Sequence, residues 1–521
     1  MKRLMAVMAT ILISSQAVWA QGTEMTFSDK VNEIMLPVSN VISGIILYGI
    51  PMDWLVPGSP PLPIIAVWLV GGAMFFSFYM GFPNIRYFKH SIKIVKGTYD
   101  NPNDPGEVTH FQALSAAVSG TVGLGNIAGV AIAISIGGPG ATFWMILAGI
   151  FGMTSKFVEC TLGVKYREID ENGVVSGGPM YYLEKGLAKL GLPNLGKVLA
   201  VMAALICIGG AYGAGAMFQV NQSSAQFTNE IAALTGGTES FFYGKGWLFG
   251  IVFASVVGLV IIGGIRKITH VTEFLVPIMA IIYVSASLVV ILGHFDQIPA
   301  AFGQIFAGAF TGEGVQGGII GVLIQGLRRA SFSNEAGLGS ASIAHAAAKT
   351  KEPVSEGLVA LLEPFIDTVI ICTMTALVII LTGSVDSSDT STSAGIALTS
   401  KAFATVIDWF PYVLTVAVIM FAFSTSLTWF YYGQRSFLWL FGNNRQADLA
   451  FKVSYLMILV VGSAMSLGPV MNIADALLLG MGFPNILGLF LLRKEVKAML
   501  VDYFDRIKSG AIKPYAESEQ R

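Results

Sequence analysis

The chain has 521 residues, of which 54% are hydrophobic and only 12% are charged, and its mean hydropathy is +0.69. Soluble globular proteins carry about 25% charged residues, so this composition argues against a soluble enzyme and indicates a protein embedded in a lipid bilayer. The net charge of -1 gives no field that would attract nucleic acid. Three cysteines, Cys160, Cys207 and Cys372, lie inside apolar runs and fit neither a disulfide framework nor a metal-ligand spacing.

The first predicted element, residues 1–20, has the layout of a signal peptide. Lys2 and Arg3 precede an apolar core, and small residues suit cleavage before Gln21. An uncleaved first membrane helix is the alternative, although the apolar run is shorter than the ~20 residues that a span needs. Cleavage would leave residues 21–62 as an extracytoplasmic segment.

Eleven apolar stretches of spanning length follow. They lie near 63–83, 111–137, 141–164, 196–218, 246–264, 272–293, 314–345, 355–382, 409–434, 450–467 and 469–492. With the N-terminus outside, 25 of the 31 Lys and Arg residues fall on the inner side, and only Lys30, Lys245 and Lys401 fall outside. The positive-inside rule therefore predicts a multi-pass protein of the bacterial inner membrane, with the N-terminus outside and residues 493–521 as a cytoplasmic tail.

The second stretch, 111–137, contains residues that favour an interrupted helix. Three glycines, Gly120, Gly123 and Gly125, stand between Ser119 and Asn126, and each disfavours helix by about 1 kcal/mol relative to Ala. Unwound backbone in a bilayer is tolerated only where it lines a buried or wet cavity. Its free carbonyls can then bind a cation, and the N-terminal end of the next half-helix can hold an anion. A close packing face between helices is the alternative.

The seventh stretch, 314–345, is too long and too polar for a plain span. We expect a discontinuous helix with its break near Gln325–Ala330, because charged groups in a membrane must face protein or water. In the alternative interpretation, Arg328 and everything after it form a cytoplasmic loop.

The two interrupted stretches lie about 200 residues apart, and each precedes four further spans. This arrangement predicts two inverted five-helix repeats, 111–294 and 314–492, with the substrate between them and 63–83 as an extra helix. Residues 424–426, with the sequence Ser-Thr-Ser, place consecutive hydroxyls mid-membrane, where they suit a hard cation. Such hydroxyls also commonly bond to carbonyls of their own helix.

Two closely spaced pairs of charged residues lie within the predicted spans 141–164 and 355–382. Lys156 and Glu159 are three residues apart and can pair, and Glu363 and Asp367 are four apart. Either acidic residue of the second pair could carry a proton, although a structural ion pair is the simpler interpretation. We expect His345, near a membrane edge, to be solvated.

Four long motifs carry a resemblance. They are SGTVGLGNIAGVAIAISIGGPGATFWM at 119–145, GMTSKFVECTLGVKYRE at 152–168, SFSNEAGLGSASIAHAAAKT at 331–350 and ALLEPFIDTVIICTMTALVI at 360–379. They resemble the bacterial alanine or glycine:cation symporter family, the sodium:alanine symporters of the APC superfamily, over roughly residues 60–495. The resemblance implies an all-α polytopic fold, the leucine-transporter-type 5+5 inverted repeat with one extra N-terminal helix.

The resemblance also implies a secondary active transporter and not an enzyme. Members import small neutral amino acids, chiefly alanine and glycine, by alternating access with Na⁺ as the coupling ion. H⁺ coupling in the same fold is an alternative, and a passive channel is a less favoured one. The expected partners are the amino acid, Na⁺ and the lipid bilayer, with no nucleic acid and no obligate protein partner.

Binding residues follow from the same resemblance. Na⁺ would be bound where the repeats meet, by the carbonyl oxygens of Ser119, Val122 and Ala422 and the hydroxyls of Thr425 and Ser426. The residues implied for the substrate are Thr121, Gly123, Gly125, Asn126, Gln219, Gln325, Gly326 and Trp429. Gln325 and Gly326 represent the broken sixth core helix, and Trp429 would limit the size of the pocket. A full ligand set for a second sodium ion is not recognisable.

Overall fold

The computed structural model describes residues 25–55, 57–311, 318–384 and 395–515. This part of the chain is almost entirely helical, as expected for an all-α protein, with two short antiparallel hairpins. Strands β1 (Gly49–Ile50) and β2 (Leu62–Pro63) form the first hairpin, and β3 (Glu168–Ile169) and β4 (Val175–Ser176) form the second. The predicted signal peptide, residues 1–20, lies outside the described residues.

Twelve α-helices in the described residues precede position 294. They are α1 (Phe27–Ile46), α2 (Ile64–Met80), α3 (Pro83–Arg86), α4 (Phe88–Val95), α5 (His110–Thr121), α6 (Val130–Gly137), α7 (Ala141–Lys165), α8 (Pro179–Lys189), α9 (Pro193–Gly210), α10 (Gln219–Leu234), α11 (Gly246–Ile261) and α12 (Gly264–Gly293). Wider π-type turns, Gly125–Gly129 and Ala211–Phe218, lead into α6 and join α9 to α10.

Eleven α-helices follow in the described residues. They are α13 (Ile298–Thr311), α14 (Gly318–Asn334), α15 (Ala341–His345), α16 (Pro353–Ala360), α17 (Leu362–Pro364), α18 (Thr373–Leu381), α19 (Gly395–Ala404), α20 (Phe410–Phe441), α21 (Arg445–Ala464), α22 (Leu467–Gly480) and α23 (Gly482–Lys508). A third π-type stretch, Phe365–Cys372, joins α17 to α18.

The described part contains seven helices that are long and apolar enough to cross a membrane. They are Ala141–Lys165, Pro193–Leu234, Lys267–Gly293, Pro353–Leu381, Phe410–Phe441, Arg445–Ala464 and Leu467–Lys508. The bent pair His110–Thr121 and Gly125–Gly137 is an eighth candidate, and α2 and α11 are apolar but shorter. The chain is therefore a multi-pass membrane protein, while the count of eleven spans and the inverted repeat stay predictions.

The interruption predicted after Ser119 is confirmed. Helix α5 begins with a capping box, in which the Thr109 and Gln112 side chains bond to each other's backbone N–H. It ends at Thr121, and Val122 has a ψ of 88°, which lies outside the helical range. The helix that resumes at Gly125 runs at 49° to α5.

The break predicted at Gln325–Ala330 is wrong. Helix α14 continues unbroken through this range, and the interruption follows it, between Glu335 and Ser340. Glu335, Gly337 and Gly339 have φ values of 56°, 83° and 87°. The two glycines adopt this left-handed conformation without the steric cost of a Cβ, which explains why the helix ends here.

The residues taken as signs of an earlier break have packing and pairing roles. A Cβ on Gly326 would lie 2.6 Å from the carbonyl oxygen of Ala141, so this glycine lets α14 approach α7 closely. Arg328 and Arg329 both donate to Asp475 on α22. Neither arginine belongs to a loop, so both are removed from the 25 Lys and Arg residues counted on the inner side. The remaining 23 (25 − 2) still far exceed the three on the outer side.

The segments between the predicted spans contain helices that the apolar pattern missed. Helix α1 lies within 21–62 and packs on α22, where Asn32 Oδ1 accepts a hydrogen bond from the Ser466 N–H at 2.7 Å. Helices α13 and α19 likewise lie between predicted spans. Helix α7 packs against α2, α14, α15 and α16, and this position buries its Lys156 and Glu159 completely.

Candidate functional site

The interruption after α5 places freed backbone groups among amide side chains. The Gly123 N–H donates to Asn126 Oδ1 at 2.9 Å, and the Leu124 N–H donates to Gln219 Oε1 at 3.1 Å. Gln219 comes from α10, and its Nε2 donates to the Ala214 carbonyl at 3.1 Å. All of these residues are buried. Two side chains therefore satisfy the N–H groups that the break releases.

A side chain is sterically excluded at Gly123. A Cβ there would lie 2.5 Å from Thr425 Oγ1 on α20 and 3.2 Å from Gln219 Oε1 on α10. Three segments that are distant in sequence therefore meet at the break.

The predicted sodium ligands are brought together in part. Thr425 Oγ1 donates to the carbonyl oxygen of Ser119 at 2.8 Å. Ser426 Oγ donates to the Gly215 carbonyl at 2.8 Å and so faces the π-type turns between α9 and α10. Two further members of the set are buried on the segments that carry Ser119 and Thr425, namely Val122 and Ala422. The described conformation thus pairs Ser119 with Thr425 and holds the Ser426 hydroxyl elsewhere.

Thr121 and the α14 residues Gln325 and Gly326 make different contacts from the other predicted substrate residues. The Thr121 hydroxyl lies 3.4 Å from the carbonyls of its own helix at Ala117 and Val118. Gln325 and Gly326 pack against Gly137 and against α7, and not against the break.

Phe332 on α14 reaches the first interruption. It follows Gln325 by seven residues, which is about 10 Å along a helix. A Cβ on Gly125 would lie 3.2 Å from the Phe332 ring, so this glycine admits the ring. The guanidinium of Arg329 lies 5.1 Å from the centre of the same ring.

Trp429 is a buried wall one helical turn from Thr425. Its Nε1 donates to Glu335 Oε1 at 3.0 Å, at the start of the second interruption. A Cβ on Gly215 would overlap the Trp429 side chain, and Gly215 lies one turn before Gln219. Trp429 is thus fixed between the two interruptions and α9–α10.

A buried carboxylate organises the break, and the sequence analysis did not assign it this role. Asp367 Oδ1 accepts from Asn126 Nδ2 at 2.6 Å, and Oδ2 accepts from Ser333 Oγ and Thr368 Oγ1, each at 2.7 Å. The position of this acidic residue within a predicted span is the sequence signal that singles it out. Only the fold reveals that it orients Asn126.

The simpler interpretation, a structural ion pair, is confirmed for Glu363 and for the Lys156–Glu159 pair, whereas Asp367 bonds to amide and hydroxyl groups instead. Lys156 Nζ lies 3.1 Å from Glu363 Oε1 and 4.0 Å from Glu159 Oε1. The prediction for His345 is wrong, because its ring is fully buried and bonds to Glu356 Oε1 at 2.5 Å. His345 follows the turns of the second interruption and lies inside the protein.

The groups at the first break are amides, hydroxyls and carbonyls, with Asp367 behind them. Such donors and acceptors suit a zwitterion and a hard cation. The described residues hold no group of three or more His, Cys, Asp or Glu side chains suited to a metal ion.

Comparison with known proteins gives consistent matches. The sequence profile of the sodium:alanine symporter family matches residues 58–518. Sodium/alanine symporter AgcS of Methanococcus maripaludis is 38% identical over 431 residues, which cover 82% of this chain and 92% of that protein. "Probable sodium/glutamine symporter GlnT" of Bacillus subtilis is 32% identical, over 86% of this chain and 89% of GlnT. The crystal structure of MhsT in complex with L-phenylalanine has a TM-score of 0.50 at 15% identity, over 75% of this chain and 99% of that one, which shows a shared fold.

Proposed function

Because this chain belongs to the sodium:alanine symporter family, we propose that it imports alanine and glycine into the cell together with Na⁺. Its relatives are transporters and not enzymes, and the chain is a cation-coupled amino-acid transporter with several membrane helices. Beyond membership of the family, we propose the identity of the amino acid and of the coupling ion.

The observation that carries the proposal is the convergence at the break after α5. Backbone groups at Gly123 and Leu124 leave the helix inside the protein, where Gln219 and Thr425 approach them from distant segments. Freed backbone in a membrane protein needs polar partners. An amino acid bound between these segments would supply such partners.

The neutral groups at the break match the two ends of an amino acid. The N–H groups of Gly123 and Leu124 can donate to a carboxylate, aided by the N-terminal end of the helix that follows. The amide oxygens of Asn126 and Gln219 can accept from an ammonium group. Bound substrate would therefore take over hydrogen bonds that these side chains now make with the backbone.

The small size of the proposed substrate follows from the walls of this region. Trp429 occupies the space beside Gly215, and Phe332 lies against Gly125. Aromatic side chains at these positions would restrict the space beside the break, which supports alanine and glycine over a glutamine-sized substrate. Thr121 would contribute backbone groups, because its hydroxyl bonds within its own helix.

For Na⁺ we propose the position between α5 and α20. The Thr425 hydroxyl and the Ser119 carbonyl face each other, and oxygen is the ligand that hard cations prefer. Carbonyls of Val122 and Ala422 complete the set, and the Ser426 hydroxyl joins after it leaves the Gly215 carbonyl. An ion held this way tightens α20 against the interrupted helix and orders the amino-acid site.

The excess of Lys and Arg supports a cytoplasmic C-terminus and an outside N-terminus in an inner membrane. In that orientation α14 would enter from outside, and the pairing of Arg328 and Arg329 with Asp475 would close that side. Opening this ion-pair cluster would admit the substrate. The rival H⁺-coupled mechanism is favoured by the buried carboxylates Asp367 and Glu335.

Uptake of labelled alanine into proteoliposomes tests the proposal. We expect accumulation above the outside concentration when Na⁺ is high outside, and its loss when choline replaces Na⁺. Accumulation that persists without Na⁺ and follows a pH gradient would favour H⁺ coupling. Flux that does not saturate and never exceeds equilibrium would indicate a channel.

A further inference from the structure

A chain of titratable side chains leads from the loop before α5 to the Trp429 wall. It starts at Asp100, whose side chain is 31% exposed and whose Oδ1 lies 3.8 Å from His110 Nε2. His110 Nδ1 is hydrogen-bonded to Glu356 Oε2. The other oxygen of Glu356 lies 2.5 Å from His345 Nδ1. Imidazole rings and carboxylates thus alternate from the surface inward.

The chain continues to the second interruption. His345 Nε2 lies 3.8 Å from Glu363 Oε2, and within the described residues neither atom has a hydrogen-bond partner. Glu363 Oε1 lies 3.1 Å from Lys156 Nζ, which lies 4.0 Å from Glu159 Oε1. Glu159 Oε2 accepts from the Gly339 N–H at 3.0 Å, and Glu335 Oε2 accepts from the hydroxyl of the next residue, Ser340, at 2.6 Å, so both carboxylates bind the same turn. Glu335 accepts the hydrogen bond of the Trp429 indole at 3.0 Å. The inner end of the chain therefore touches the proposed substrate wall.

The charge of this buried set requires bound protons. Beneath Asp100 it contains four carboxylates (Glu356, Glu363, Glu159 and Glu335) and one permanent cation, Lys156, so three protons make it neutral. An uncompensated buried charge is costly, and such groups bind protons to avoid it. The two histidines and four carboxylates offer more sites than there are protons, and a proton can therefore shift along the set.

Other titratable groups also act on this set. Arg167 and Cys160 act on Glu356, Asp367 acts on Glu363, and Tyr432 and Cys207 interact with Glu335. Arg167 is held by backbone carbonyls at Pro105, Ala346, Ala348 and Thr350.

We propose that this row of titratable side chains, from Asp100 to Glu335, carries a proton between the cytoplasm and Glu335. One proton is then exchanged against Na⁺ in each transport cycle. The inference rests on the proposed function, and the excess of Lys and Arg assigns the Asp100 face to the cytoplasm. A proton arriving on His110 Nε2 is matched by release of the Nδ1 proton to Glu356. His345 repeats this step toward Glu363. Lys156 Nζ then releases one proton toward Glu335 as it takes one from Glu363, and so remains a cation. Each transfer breaks one N–H or O–H bond and forms another.

The coupling to transport is electrostatic and steric. Na⁺ beside Thr425, one helical turn from Trp429, disfavours a second positive charge nearby, so release of Na⁺ to the cytoplasm favours proton uptake. A protonated Glu335 is a weaker acceptor than a carboxylate and holds the Trp429 indole less tightly. When the cavity opens outward, Glu335 returns its proton to the outside. Proton movement is therefore opposite to the movement of alanine.

The experiment uses the full chain in proteoliposomes that contain a pH-sensitive dye, with the voltage clamped by valinomycin and equal K⁺. Addition of alanine and Na⁺ outside should make the interior more alkaline. Glu356→Gln should slow this pH change about tenfold or more, because it removes one carrier. Na⁺-dependent alanine binding in detergent should change less than about twofold, since Glu356 lies outside the binding residues.

Glu352→Gln is the matched control, because it removes a carboxylate on the same face that pairs with Arg506. It should leave the pH change as in the wild type. Wild-type protein that takes up alanine with Na⁺ without any pH change would overturn the proton path and leave the proposed function standing. An equal pH change in Glu356→Gln would also overturn it. Absence of Na⁺-driven alanine uptake in the wild type would instead refute the proposed function.

Discussion

Thr425→Ala tests the sodium position directly. The substitution removes the hydroxyl that lies 2.8 Å from the Ser119 carbonyl and leaves the backbone of α20 in place. Losing one buried polar partner costs about 1–3 kcal/mol. Since about 1.4 kcal/mol corresponds to a factor of ten in affinity, the Na⁺ concentration for half-maximal uptake should rise roughly 5- to 150-fold.

The assay is alanine uptake at a series of Na⁺ concentrations. At saturating Na⁺ the alanine affinity should approach that of the wild type, because the substituted group binds the ion and not the amino acid. Thr415→Ala is the control, since this buried threonine lies on the same helix and bonds to the Pro411 carbonyl at 2.8 Å. A loss of alanine affinity that is the same at every Na⁺ level, or an equal effect of Thr415→Ala, would refute the placement.

Three further substitutions test other parts of the account. Gly123→Ala should abolish uptake, because its Cβ has no room among the groups at the break. Gly71→Ala, with open space around it, is the control and should transport normally. Full uptake by Gly123→Ala would show that the substrate cavity is not at this segment. Trp429→Phe should raise the KM for alanine severalfold and strengthen competition by larger neutral amino acids, and unchanged selectivity would exclude Trp429 as a wall. Lys156→Met leaves two buried carboxylates without a counter-charge, which costs about 3–5 kcal/mol. Thermal unfolding in detergent should show a lower unfolding temperature for Lys156→Met. Lys185→Met, whose ion pair is exposed, is the control and should unfold like the wild type. Equal unfolding temperatures of the two variants would contradict the stabilising role of the buried pairs.

The first interruption was predictable because its signal is local. Several glycines between Ser119 and Asn126 weaken the helix in a segment that is too apolar to leave the membrane, and the structure breaks the helix at Val122. The polar groups that would satisfy the break, such as Gln219, could be named from the resemblance. Their hydrogen bonds to the Leu124 N–H could not, because they depend on how distant helices pack.

The second interruption was predicted in the wrong place because polar residues and glycine occur in a membrane span for more than one reason. Gln325, Gly326 and Arg328 suggested unwinding, but the glycine serves close packing and the arginine pairs with Asp475. The true signal was the pair of glycines at 337 and 339, which adopt left-handed conformations. A single sequence does not distinguish a glycine that packs from one that turns.

Partners of the buried charges lie too far apart in sequence for a local pattern to reveal them. Lys156 pairs with Glu363, 207 residues away, in addition to its neighbour Glu159. Asn126 binds Asp367 across 241 residues. The prediction that His345 is solvated failed for the same reason, since its burial depends on the turns that precede it and on Glu356.

An experimental structure with alanine and Na⁺ bound tests the central claim most directly. The account predicts density for the amino acid between the Gly123–Asn126 backbone and the Gln219 side chain, with the ion between Ser119 and Thr425. Alanine bound away from this break, or an unbroken helix through residues 119–126 that faces lipid, would contradict it.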